Sequence, residues 1–176
     1  MAWRMKQFLQ DHKLEETVDE GGKVRRRYVY RGDRYERRLT PGQRRAERYV
    51  GVLTALIAGG LGVFAAVQDT PANTSGFFAA LSVLTLVPAL GALAGAVIAF
   101  FRKGDLTVGE YRERRVLLTL MPLLGAAFLL LLTVGYALQG AFPALAAALL
   151  SAILYALIGI HERRVKYTVH PGHQPS

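Results

Sequence analysis

Four stretches of this chain, Tyr49–Val67, Phe77–Phe101, Val116–Leu138 and Ala141–Ile160, contain no Asp, Glu, Lys, Arg or His. They run 19, 25, 23 and 20 residues. A hydrocarbon layer about 30 Å thick is crossed by roughly 20 helical residues. Helices in the core of a soluble protein seldom stay uncharged over that distance. Inside lipid the backbone must also satisfy its own N–H and C=O groups, which a helix does within one segment. The expectation is an all-α membrane protein, a four-transmembrane-helix bundle occupying residues 40–160.

Charge gives the bundle a direction. The chain holds 22 Lys and Arg against 13 Asp and Glu, a net +9. Fourteen of the 22 precede the first span, five lie in Arg102–Arg115, and three in Arg163–Lys166. The two other connections, Gln68–Gly76 and Gln139–Gly140, carry none. Lys and Arg are retained in the cytoplasm, so both termini are expected there, with two small loops outside. A bacterial inner membrane suits this pattern. The first 48 residues contain no apolar signal-peptide core, so the first span is expected to direct insertion. Cysteine is absent, which removes disulfides, thiolate catalysis and cysteine-based metal or cluster ligation. No cofactor is expected.

A short pattern occurs twice. Leu39-Thr40-Pro41-Gly42-Gln43-Arg44-Arg45 is echoed, 67 residues on, by Leu106-Thr107-Val108-Gly109-Glu110-Tyr111-Arg112. Thr40 with Gln43, and Thr107 with Glu110, have the spacing of a capping box. Each copy would start a basic helix that runs into the bilayer. Convergence on one capping geometry explains the echo, and so does duplication of a two-helix hairpin.

The segments flanking the bundle read as cytoplasmic. Lys23–Leu39 alternates with period two around Gly32-Asp33 and is expected to form a β-hairpin, with Tyr30 opposite Tyr35 and Arg26 opposite Leu39. An isolated hairpin is marginal in water, so the alternating Arg163–Val169 of the 161–176 tail is expected to add a third strand. Ala2–Glu16, within residues 1–22, has the partial apolar face of a short interfacial helix. Pro171–Ser176 reads as a loose tail.

Candidate sites follow from these placements. Arg25, Arg26, Arg27, Arg37, Arg38, Arg44, Arg45, Arg48, Arg112, Arg114 and Arg115 form a basic belt that would meet anionic headgroups, at about 1 kcal/mol per charge, or an acidic partner. Position beside a membrane accounts for the belt without nucleic acid. Small residues recur every four positions as Gly51, Ala55 and Gly59, as Gly91 and Gly95, and as Ala148 and Ala152. Such rows let helix backbones approach closely, either within the bundle or against another membrane subunit or a second copy. The third span, with Phe128-Leu129-Leu130-Leu131-Leu132, is expected to face lipid more than the others. Pro88 and Pro122 are expected to kink their helices.

No span carries an ionisable residue, which weighs against coupled transport through a buried carboxylate. The four histidines, His12, His161, His170 and His173, suggest no metal or haem site. The favoured reading is a non-enzymatic subunit, an accessory, scaffolding or regulatory partner in a larger membrane complex. One alternative is an oligomeric transporter or channel. A second is a lipid-modifying enzyme at the cytoplasmic interface, drawing on Glu47, Asp105, Glu110, Glu113, His161 and Glu162.

Overall fold

A computed structural model describes residues 12–18, 24–30, 32–102 and 104–171. Four helices are long and apolar enough to cross a membrane: Gly42–Val67, Gly76–Phe101, Val108–Leu138 and Phe142–Arg164. The first belongs to α1 (Pro41–Val67). A single turn, α2 (Pro71–Thr74), leads into α3 (Gly76–Phe101). The third comprises α4 (Val108–Arg115), a π-helical turn (Val116–Leu120) and α5 (Met121–Leu138). The fourth is α6 (Phe142–Arg164). The helices form a ring in which α1 and α5 each pack against both α3 and α6.

The core pairs large side chains with small ones. Leu129, Leu132, Tyr136 and Tyr155 are fully buried, in one cluster with Ala58, Ala92, Ala144, Ala148 and Ala152. Without water between helices, contact of this kind and a few hydrogen bonds hold a membrane bundle together. Ser151 Oγ donates to the Ala58 carbonyl at 2.7 Å and ties α6 to α1. A Cβ at Gly95 would come within 2.7 Å of Leu117, and one at Gly135 within 2.6 Å of Phe78, so both positions admit only glycine without a shift.

The expectation for the third span is overturned. Across its most apolar stretch 33% of residues are buried, against 17% for the first span. The alanine-rich face of α6 makes room for the bulky leucines of α5. It is α1 that shows the widest apolar face, through Leu53, Leu56, Ile57 and Phe64.

Pro122 accounts for the π turn. Proline has no N–H to offer the carbonyl four residues back, Leu118, and its ring crowds that position. The helix widens just before it, and Met121 N–H bonds to the Val116 carbonyl five residues back. Pro88 lies fully buried inside the continuous helix α3.

Two small sheets flank the bundle. β1 (His12–Val18) and β2 (Val24–Tyr30) form an antiparallel pair. β3 (Arg34–Arg37) is the middle strand of a second antiparallel sheet, between β4 (Leu106–Thr107) and β5 (Tyr167–His170). The C-terminal segment does supply a strand, with Tyr35 opposite Val169 and Arg37 opposite Tyr167.

Two local expectations are corrected. The hairpin about Gly32-Asp33 does not form: β2 and β3 are not partners, and Tyr30 pairs with His12 instead of Tyr35. The β1–β2 register joins seven residue pairs, more than the four-residue β3 could offer. β3 in turn fills both of its edges with β4 and β5. The proposed helix Ala2–Glu16 is overturned from His12 onward, where the chain is a strand. There the register sets Glu15 opposite Arg27 and Glu16 opposite Arg26. Residues 2–11 of that expectation, and 172–176 of the expected tail, lie outside the described residues.

Candidate functional site

The three basic segments converge at one end of the ring, and Glu162 is the centre of the convergence. It sits on the last turn of α6 with its side chain 4% exposed. Four hydrogen bonds reach its carboxylate. Arg114 of α4 donates through Nε at 2.9 Å and Nη2 at 3.3 Å. Arg37 of β3 donates through Nη2 at 3.1 Å, and the Tyr167 hydroxyl of β5 at 2.5 Å. A carboxylate has about four acceptor positions, so Glu162 is saturated. That makes it a poor general base and a strong anchor.

Arg37 also forks onto Glu47 of α1, at 2.5 and 2.6 Å. His161 Nε2 lies 2.9 Å from the same carboxylate. Two carboxylates and two guanidiniums from α1, β3, α4 and α6 thus form one neutral cluster. Mutual attraction and hydrogen bonding offset the cost of removing these charges from water. Burial pushes the Tyr167 phenol above its usual range, which keeps it protonated and donating to Glu162.

Outer layers complete the joint. Tyr35 stacks on Tyr111 with ring centres 4.3 Å apart, and Tyr167 meets Tyr111 edge-on at 5.0 Å. Arg115 lies over both Tyr111 and Tyr167 and donates to the Tyr111 hydroxyl at 3.0 Å. Arg44 pairs with Glu36 at 2.8 Å and bonds the carbonyls of Arg37 and Leu39. The Glu36 carboxyl is held below its usual range by the Arg44 hydrogen bond, with His170 adding to it. Tyr30 donates to the Asp33 carbonyl and accepts from Val108 N–H, linking β2 to the start of α4.

Both copies of the repeated motif form complete capping boxes. Thr40 N–H donates to Gln43 Oε1 at 3.0 Å, and Thr107 N–H to Glu110 Oε2 at 2.8 Å. In the second copy Glu110 also pairs with Arg102 at 2.6 Å, securing the turn that precedes it.

Of the basic belt, Arg37, Arg44, Arg48, Arg114 and Arg115 turn toward the joint. Arg38 bonds Thr168 across the sheet at 2.7 Å, while Arg45 and Arg112 are exposed. Arg25, Arg26 and Arg27 are on β2, and their side chains lie outside the described residues. Ala55, Ala148 and Ala152 are buried, Gly59 approaches Tyr155, and Gly91 and Gly95 pack on Met121 and Leu117. Gly51 stands apart, since a Cβ there would meet nothing within 4 Å. Of the acids set out for interfacial chemistry, Glu47 and Glu162 come together with His161. Asp105 and Glu113 are exposed, and Glu110 is a cap. Among the described residues no three His, Asp or Glu side chains are grouped to hold a metal ion.

The opposite end of the ring is closed without charge. Asn73 donates to the carbonyls of Ala65 at 3.0 Å and Gln68 at 2.8 Å. Its Oδ1 accepts from the Tyr136 hydroxyl at 2.8 Å. Sequence reasoning missed Asn73 and Tyr167 as anchors. Asn73 carried one signal, as an amide in a short loop between spans, where buried carbonyls need donors. No family model, no curated protein and no solved structure matches this chain.

Proposed function

We propose that the chain is an integral protein of a bacterial inner membrane, with both termini cytoplasmic, acting as a non-enzymatic subunit that holds a basic platform against the membrane for a partner. The observation that carries this reading is the joint around Glu162. Its charged groups are committed to fixing β3 and β5 onto the ends of α1, α4 and α6. Arg34, Arg38, Arg45, Arg112, Arg163 and Arg164 remain exposed around that fixed sheet. A rigid surface on which exposed arginines outnumber the exposed acids Asp33, Asp105 and Glu113 suits an acidic protein segment or anionic lipid headgroups. The gathering of Lys and Arg at one end supports the orientation.

Two measurements test it. Reporter fusions after His170 and within Gln68–Gly76 are expected to mark the first as cytoplasmic and the second as external, and the reverse result refutes the orientation. Purification from the native host in mild detergent is expected to recover a second protein that is released at high salt. Recovery of this chain alone at every salt concentration refutes the platform.

A further inference from the structure

Beside the Glu162 joint, the basic end of the ring encloses a cavity of about 470 Å³ walled by α1, α3, α4, the π turn, α6 and the α3–β4 connection. That volume falls within the range of small-molecule sites, about 300–1,000 Å³. Its walls are of two kinds. Five arginines and two glutamates line it, with His161. Arg37 and Arg114 are neutralised by Glu47 and Glu162, while the partners of Arg44 and Arg102, Glu36 and Glu110, lie off the wall. Arg48 faces no carboxylate among the described residues and bonds only the Arg102 carbonyl, at 2.9 Å. Of the five arginines on the wall, Arg48 alone lacks a carboxylate partner among the described residues, so the wall's unbalanced positive charge is that of Arg48.

Further in, the wall becomes apolar, through Gly51, Ala96, Leu118, Leu154 and Ile158. Thr54, also on the wall, lies six residues along α1 from Arg48, about 9 Å at helical rise. Beside Gly51 this part is open: apart from its own turn of helix, nothing lies within 4 Å of where its Cβ would be. Val50 of α1 and Leu157 of α6 also line the cavity and are 60% and 56% exposed. Both lie on helices that are apolar enough to span the membrane, so the way in between them leads from lipid.

We propose that this cavity binds one anionic phospholipid, with its phosphate at Arg48, Arg44 and Arg102 and the start of one acyl chain along Gly51. A free phosphate compound would satisfy the mouth and leave the apolar part without an occupant, so a lipid is the occupant the two-part wall fits. The inference rests on the reading above that the helices lie in a membrane, and takes from the orientation only which leaflet supplies the lipid.

The test uses the full chain in an uncharged detergent, with binding followed by native mass spectrometry. Dioctanoyl phosphatidylglycerol, dioctanoyl phosphatidylcholine and glycerol phosphate are the probes. Both lipids bring the same phosphate, but only phosphatidylcholine brings a choline cation up to the unbalanced Arg48 charge, so the anionic lipid is expected to bind at least about tenfold more tightly than the zwitterionic one. Glycerol phosphate is expected not to compete. Gly51→Phe, which fills the apolar part without touching a charge, is expected to abolish binding. Arg48→Gln is expected to bring the two lipids to equal affinity. Equal binding of both lipids to the native chain, unchanged binding by Gly51→Phe, or full competition by glycerol phosphate each overturns the proposal. None of these results depends on orientation, so they separate from the fusion test.

Discussion

The two ends of the helix ring solve the same problem with opposite chemistry. Each must satisfy the polar groups left where helices stop. At the end away from the basic segments one amide, Asn73, with the hydroxyls of Tyr136 and Ser82, closes four elements with uncharged hydrogen bonds. At the basic end Glu162 and Glu47 close five elements through Arg37, Arg114 and Tyr167. A neutral donor set is inexpensive to bury but reaches only near neighbours. A guanidinium fork reaches further and gathers a sheet, but it leaves a stranded charge if any member is removed.

That asymmetry sets the order of expected effects. Glu162→Gln removes the shared anion and strands Arg114, with a loss of about 3–5 kcal/mol expected. Thermal unfolding in detergent should register it as the largest drop of the series, with β5 becoming open to protease. Replacing Glu162 and Arg114 together by methionine should recover much of the loss, because a well-packed apolar pair avoids the desolvation cost. A double variant no better than the single one would break the account of the basic end. Asn73→Ala comes next, at about 1–3 kcal/mol, because the Gln68 carbonyl loses its side-chain donor and the Ala65 carbonyl keeps only the Tyr136 hydroxyl. If its loss exceeds that of Glu162→Gln, the contrast between the ends is reversed.

Packing changes follow. Gly135→Ala drives a methyl group into Phe78 and should cost about 1–3 kcal/mol by overpacking. Gly51→Ala meets open space and should be neutral or stabilising, by up to about 1 kcal/mol from helix propensity. Equal losses at both glycines would deny the cavity beside Gly51.

The smallest effect concerns pH. The Glu36 carboxyl is depressed in the folded chain, so the stability it contributes is present above its unfolded value near 4.5. It is lost as pH falls through the lower folded value. Hydrogen exchange at β5 should quicken in that acidic window and be restored on neutralisation, and Glu36→Gln should remove the dependence.

The four long apolar helices were legible in the sequence because uncharged runs of that length are rare outside segments suited to cross lipid. Their ends were less so. The capping box at Thr40 marked a basic helix running into the first span, and α1 does carry Arg44 to Arg48, whereas His161 to Arg164 were read as the start of a tail, yet α6 continues through them. The capping box at Thr40 and the pairing of Glu47 and Glu162 let the helices carry charge beyond the apolar run. Strand pairing was the least legible feature. Val24–Tyr30 had a turn signal pointing to Arg34–Arg37; the alternation of Arg163–Val169 did report a C-terminal strand, but no local pattern reported that β3 would pair with β4, 71 and 73 residues away, instead of β2. Glu162 was visible as one acid among bases at a helix end. Its central place comes from Arg37 and Arg114, 125 and 48 residues away in the chain.

The central position of β3 also bears on how the protein is made. β3 precedes every span, whereas β5, its partner and the source of Tyr167, follows the last of them. The first strand can pair on that edge only after all four helices have been synthesised. A ribosome that stops after α6 would release a chain able to insert its helices but with a raw strand edge and Glu162 short of one donor. Closure of this small sheet therefore reports that synthesis has passed the last of the four long helices.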